Sequence, residues 1–317
     1  MDAPENRLFG AGRVKRLRRL LWLDDARGER PRFTRSRMLA LILLRLPSSP
    51  TLLSAAVRMF FTIMRYFMVG QFAMKLGVIK APLVGVDHPL DRRIRFRPEL
   101  APIYFDFIGF WVRALAYVLD RTGRKAYPDA ARFLLSIGDC YKEAYGVYSR
   151  CVSTTRRPSK PANGSFVVIH LFDPHLFCLP SLHVIVVTMA WLGLRDILAK
   201  HGLGEREAAA IEAVRVRAVE IADTVVAMKQ HSVNCIPAAF YATRSLNPAF
   251  GRAEARGILA GMFHWSELEG GRDEVVAYIE ALEDRFEAEG ARRGGDWKSV
   301  LADFLFAYGE ERGTRYR

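Results

Sequence analysis

Arg150, Arg157, Ser181, His183 and His231 are residue types that together could hold a phosphoryl group and move it. Arginine stays charged and matches the acceptor edges of a phosphate. Serine adds a small hydroxyl donor. Histidine can attack phosphorus or pass a proton to a leaving oxygen near neutral pH. Arg150 precedes Arg157-Pro158, Cys178-Leu179-Pro180-Ser181-Leu182-His183 follows, and Lys229-Gln230-His231 comes later, with Cys235 four residues past the histidine. Read alone, residues 151–164 would be an exposed basic linker and either histidine an ordinary packed one. His170, Asp173 and His175 form a grouping that could suggest a metal, although ligand spacing alone is permissive.

Taken in order, these residues resemble the motifs of the type-2 phosphatidic acid phosphatase superfamily, which includes lipid phosphate phosphatases and is related to vanadium haloperoxidases. That family carries Lys-x-x-x-x-x-x-Arg-Pro, then Pro-Ser-x-His, then Ser-Arg-x-x-x-x-x-His-x-x-x-Asp. Arg150, Arg157 and Pro158 fit the first with Arg in place of Lys, and Pro180, Ser181 and His183 fit the second unchanged. Cys178 and Leu182 are similar to the variant seen in sphingolipid head-group transferases. The third motif keeps His231, but Thr224-Val225 replace Ser-Arg and Cys235 replaces Asp. The softer pattern Asp91, Ile94, Phe96, Pro98, Tyr104 resembles a segment that often precedes a membrane-entering helix in bacterial members.

The resemblance implies an all-α multi-helix bundle acting on a phosphorylated lipid or other phosphomonoester without a metal or cofactor. His231 would attack phosphorus to give a phosphohistidine and His183 would protonate the departing oxygen. Arg150, Arg157, Ser181 and Lys229 would bind the phosphoryl oxygens, Lys229 compensating for the arginine missing at Val225. Hydrolysis and head-group transfer use the same residues. Cys235 stands where the family's aspartate orients the nucleophilic imidazole, and a thiol is a weak, uncharged partner. Asp173 or Asp223 could take over that role. The alternative is a catalytically inactive relative that binds anionic lipid or phosphate at a membrane surface.

Helices must position these groups. Apolar residues recur at helical spacing over 102–120 and again from Asp129, a plausible N-cap, to about Arg150. Residues 165–170 pass for a short strand or the start of a buried segment. Ser181 is placed to cap a helix running through Leu194, with its hydroxyl and the first N–H groups facing an anion. Residues 205–235 read as one long helix, which would put His231 and Cys235 on the same face. Further helices are expected over 236–245, 252–265, 273–289 and 296–308, separated by Gly270-Gly271 and Gly294-Gly295.

Upstream, residues 1–37 form an arginine-rich arm with interleaved leucines, suited to an anionic membrane surface or simply solvated. Residues 38–46 and 51–76 are the most lipid-like, but Arg58 and Arg65 lie seven apart on one helix face. That fits a helix packed on a core or lying in an interface better than a lone span, with a transmembrane helix as the other reading. The organisation expected is this arm, a phosphatase-like core over 38–250, and C-terminal helices over 251–317 packed on it. The formal charge of +13 on 317 residues implies anionic partners. Membrane association, peripheral or integral, is the expectation, and otherwise a cytoplasmic location. No nucleic-acid-binding signature or Gly-rich nucleotide loop is present. Four cysteines show neither metal-type pairing nor a disulfide framework, and the first residues do not resemble a secretory signal.

Overall fold

The computed structural model describes residues 42, 45–158, 164–264, 268 and 271–316, so the basic arm over 1–37 lies outside the described residues. The chain is predominantly helical. Helix α1 (Pro50–Ile63) is capped by Ser49, whose hydroxyl accepts from the Leu52 N–H at 3.3 Å. It runs through a π-helical stretch, Met64–Val69, into α2 (Gly70–Lys75). Strand β1 (Leu83–Gly85) follows, then two 3₁₀ turns, a single helical turn α3 (Ala101–Tyr104) and α4 (Asp106–Thr122). Next come α5 (Tyr127–Tyr148), β2 (Val152–Thr154), α6 (Gly164–Phe172) and α7 (Leu182–Lys200). The remaining elements are α8 (Ala208–Ala227), α9 (Cys235–Leu246), α10 (Arg252–Ala260), α11 (Arg272–Arg292), α12 (Trp297–Arg312) and β3 (Arg315–Tyr316).

Helix α7 is the centre of the bundle and packs against α4, α5, α8 and α9. It is apolar nearly all round, as expected of a helix enclosed on every side. Helix α1 packs on α5, where Gly138 lets the Met59 backbone come close: a Cβ there would lie 3.3 Å from its Cα. The charges inside the otherwise apolar α4 are paired within the protein. Asp106 accepts from Arg113 at 2.8 and 2.7 Å and from Arg217 of α8 at 3.0 and 2.9 Å, all three side chains being less than a tenth exposed. Such a cluster ties α4 to α8, since removing one member leaves an uncompensated buried charge.

Several sequence expectations change here. Residues 165–170 belong to helix α6, not a strand; a short Val/Ile-rich run cannot be assigned by periodicity alone. Asp129 sits in the first turn of α5 rather than at its cap, where it accepts from Lys200 at 2.6 Å. The helix expected over 205–235 ends at Ala227, because Lys229 adopts a left-handed backbone (φ 56°) and the Gln230 and His231 N–H groups turn back onto the Val225 carbonyl, each at 3.1 Å. A small sheet, unanticipated, has the order β2-β1-β3, with Leu83 opposite Val152 in parallel and opposite Tyr316 in antiparallel register.

Among the described residues, three helical stretches are long and apolar enough, by length and composition, to cross a membrane: Pro50–Lys75, Pro98–Tyr148 and Leu182–Lys200. They differ in how much the protein covers them. The apolar window is 17% buried in the first, 50% in the second and 72% in the third. Beyond the side that packs on α5, the first is therefore the stretch whose apolar surface is least covered by protein among the described residues.

Candidate active site

His183 and His231 face each other, their ring centroids 5.6 Å apart and their planes at 70°. Between and around them is a narrow cavity of about 30 Å³, walled by Phe67, Phe107, Tyr141, Phe177 and Leu182 and floored by polar groups of Asp173, His175 and Gln230. A space this small admits a water or two. His183 lies in the first turn of α7, stacked on Tyr104 at 4.4 Å and packed on Phe107 at 4.2 Å, and its Nε2 is buried without a partner.

The loop before α7 is anchored at three points. The Cys178 N–H donates to the Ser153 carbonyl at 3.2 Å, the Leu179 N–H donates to the Ser153 hydroxyl at 2.8 Å, and the Tyr148 hydroxyl donates to the Pro180 carbonyl at 2.5 Å. The Cys178 carbonyl is thereby held in place, and His231 Nδ1 donates to it at 2.9 Å. A carbonyl can only accept, so the Nδ1 atom carries the proton and Nε2 keeps its lone pair free. Burial pushes the His231 imidazolium pKa down to about 4, with the Cys178 hydrogen bond acting against that shift. The ring is neutral near pH 7 and in the tautomer a nucleophile needs.

His231 lies not on a helix but in the turn between α8 and α9, which is pinned from the polar segment 87–98. The Asp91 carboxylate accepts from the Val233 N–H at 2.8 Å and from the His88 N–H at 2.7 Å. Burial raises Asp91 to about 6. Asn234 donates to the Val86 carbonyl at 3.1 Å and accepts from the Tyr278 hydroxyl of α11 at 2.5 Å, so the C-terminal helices also brace the turn. The Asp-x-x-Ile-x-Phe-x-Pro pattern was the only sign in the sequence that this segment matters.

The other candidate residues are distributed as follows. Arg157 comes close to the cavity but is paired: Nη2 donates to the Asp173 carboxylate at 2.6 Å and Nη1 to the Asp173 carbonyl at 3.0 Å, while Nε is buried and unpartnered. Ser181 occupies the N-cap position of α7 yet its hydroxyl makes no capping bond, being fully buried with no hydrogen-bond partner. Arg150 is exposed and donates to the Ser299 hydroxyl at 2.7 Å, away from the cavity. Lys229 reaches the Asp91 carbonyl at 2.5 Å and the Ile94 carbonyl, so its ammonium serves the turn. Cys235 opens α9, fully buried, and is not on a shared helix face with His231. Asp223 accepts from the Phe263 N–H at 2.9 Å and is likewise elsewhere.

His175, not singled out as a site residue, is the main addition. It sits in a left-handed conformation (φ 62°), its Nε2 is 2.7 Å from the Thr155 hydroxyl, and its ring lies against the Cys178 sulfur at 3.6 and 3.7 Å. Asp173 accepts from its N–H at 2.9 Å, so the His170–His175 grouping serves loop geometry and the Arg157 pair. Among the described residues no set of three or more His, Cys, Asp and Glu has the geometry to hold a metal ion.

Since the Cys178 carbonyl satisfies Nδ1 of His231, Cys235 is dispensable for orienting it. Cys235→Ser is expected to change any activity that depends on the His231 ring by less than about threefold, because the thiol it replaces makes no bond to the ring. Cys235→Asp is expected to destabilise the fold by about 1–3 kcal/mol, by placing a carboxyl in a fully buried site with no partner built for it. Steady-state kinetics beside urea unfolding checks both.

No protein-family model, curated protein or solved structure matches the chain. The functional reading therefore rests on the motif residues and on this geometry.

Proposed function

We propose that the protein is a phosphatidic acid phosphatase-like phosphohydrolase or phosphotransferase acting on a phosphorylated lipid through a phosphohistidine. The observation that carries the reading is the pair of imidazoles facing one aromatic-walled cavity, with the free Nε2 of His231 set by its Nδ1–H bond to the Cys178 carbonyl. His231 Nε2 attacks phosphorus and the ester P–O bond breaks with its electron pair on the departing oxygen. Burial and the facing His231 hold the His183 imidazolium well below its ordinary pKa, and the substrate dianion is what would offset this, so that His183 enters protonated with the substrate and gives its proton to that oxygen. Water, deprotonated by His183, then attacks the phosphohistidine, breaking P–N to release phosphate and regenerate both rings. An alcohol in place of that water gives transfer.

Three donors would take the phosphoryl oxygens: the orphaned Ser181 hydroxyl, the N-terminal N–H groups of α7, and the unpartnered Nε of Arg157. The cavity must widen to accept the group, and the apolar walls favour an ester whose alcohol part is hydrocarbon-like. The alternative, an inactive relative that binds anionic lipid, is favoured by one feature: the guanidinium nearest the site is already paired with Asp173. Phosphate release from phosphatidate by the purified protein decides between them, and a protein that binds phosphatidate vesicles but releases none is the inactive relative.

The pH profile is a further check. With His231 shifted to about 4, its nucleophilic form persists down to that pH, so the acid limb of kcat/KM falls near pH 4 rather than at the ordinary value of 6.5. The same shift gives stability that is complete above pH 6.5 and is lost as the pH falls through 6.5 towards 4, because the unfolded ring then takes up a proton first. Burial of Asp91 adds an inflection near pH 6 that is expected to vanish in Asp91→Asn, whereas one due to the second ionisation of the phosphate ester would remain. An acid limb at 6.5 that survives this substitution, and that does not move when the ester is replaced by one of different second phosphate pKa, would exclude buried His231 as the nucleophile.

A further inference from the structure

The exposed large apolar side chains among the described residues are not scattered: all lie within residues 53–78, 105–108 and 167–172. Phe61 is 65% exposed, Val69 60%, Phe60 55%, Ile108 55%, Leu171 64% and Phe172 63%. Two of these segments also wall the cavity, and the third leads into it. Phe67 of the π-helical stretch and Phe107 of α4 line it, and α6 runs directly into Asp173 and His175. α6 also packs against α3, which leads into α4. Phe67 and Phe107 thus line the cavity holding the two imidazoles, while the exposed side chains of the same two segments, and of α6, are largely hydrocarbon.

The charge along the first of these segments has one sign. Residues 30–86 contain no Asp or Glu. Arg58, Arg65, Lys75 and Lys80 are exposed among or just beyond the bare aromatic and aliphatic side chains. Hydrophobic groups interleaved with unopposed cations match a surface that offers both acyl chains and negative headgroups.

We infer that this face, made by α1, its π-helical continuation, the start of α4 and α6, seats on an anionic phospholipid bilayer, so that the cavity mouth opens toward the lipid. The contact deepens the proposed function by supplying the route for a lipid phosphate, and only that link rests on the phosphatase reading. Binding itself does not require turnover.

Flotation with phosphatidylglycerol/phosphatidylcholine vesicles tests it, comparing wild type with the double variant Phe61→Glu/Leu171→Glu and with Arg58→Glu/Arg65→Glu. Wild type is expected to float with the anionic vesicles and much less with phosphatidylcholine alone. The apolar double variant is expected to lose at least about tenfold in partitioning, each change removing a large buried side chain from the lipid. The charge variant is expected to lose its preference for the anionic vesicles. Circular dichroism and the rate on a short-chain, water-soluble phosphate ester are expected to be unchanged in both variants, which separates failure of the surface from failure of the site. Equal flotation of the apolar variant and wild type overturns the inference. So does light scattering that shows a wild-type dimer which the variant dissociates, since the face then covers a second copy of this chain.

Discussion

On the proposed phosphohistidine reading, His231→Ala is expected to abolish phosphate release from phosphatidate, by about four orders of magnitude or to the background rate, while vesicle binding is expected to stay within about twofold of wild type. The loss is large because no neighbouring group can substitute. His175 is already engaged with the Thr155 hydroxyl, and burial pushes the Cys178 thiol far above its ordinary range. The alanine leaves a small void at the end of a turn whose backbone is held independently through Val225, Asp91 and Asn234, so the fold is expected to survive. Release of phosphate at more than about a hundredth of the wild-type rate would remove His231 from the nucleophile's position, and equal loss of vesicle binding would mark a structural role instead.

His183→Ala is expected to have the second largest effect, with dependence on the leaving group as its signature. A proton donor contributes about 10²–10⁴-fold when the departing oxygen is a poor leaving group and little when it is a good one. Phosphatidate turnover is therefore expected to drop by that factor, while a phenyl ester carrying an electron-withdrawing nitro group loses less than about tenfold in the phosphorylation step. The ring's packing on Tyr104 and Phe107 makes some loss of stability unavoidable. His183→Gln, which keeps much of the volume but cannot transfer a proton, controls for it. A uniform loss across both esters would show that His183 serves the packing of α7 rather than proton transfer.

What the sequence revealed of the site divides along local and non-local lines. Pro180-Ser181-Leu182-His183 was legible as a helix start because capping position and first-turn geometry are properties of a few consecutive residues. The break at Lys229 was not. Lysine carries no preference for a left-handed backbone, and the apolar periodicity of 208–227 runs smoothly up to it. That one residue moves His231 off a helix and separates it from Cys235, which undoes the argument from four-residue spacing. Nor could the sequence show that a backbone carbonyl would do the work expected of a carboxylate: the Cys178 oxygen is placed by Ser153 and Tyr148, which lie 25 and 30 residues upstream.

The direction of long cations is equally non-local. Arg150 turns to α12 and Lys229 to the 91–94 turn, and in each case the partner is more than 130 residues away. The helical class was accessible because stripes of apolar residues at helical spacing persist over most of the chain. The three short strands were not, since two or three residues of pairing leave no periodic trace. Val167, Leu171 and Phe172 in α6 show the limit from the other side: an apolar run marks surface that must be covered, without saying whether protein or lipid covers it.

The central claim is that one phosphoryl group is passed to His231 across a cavity shared with His183. Rapid quenching of the protein during turnover of radiophosphorus-labelled phosphatidate, followed by peptide mapping in alkali, tests it directly. The account predicts a base-stable, acid-labile label on the peptide carrying His231, absent from His231→Ala. Phosphate release with the label on no histidine, or on Ser181 or Cys178, would contradict it.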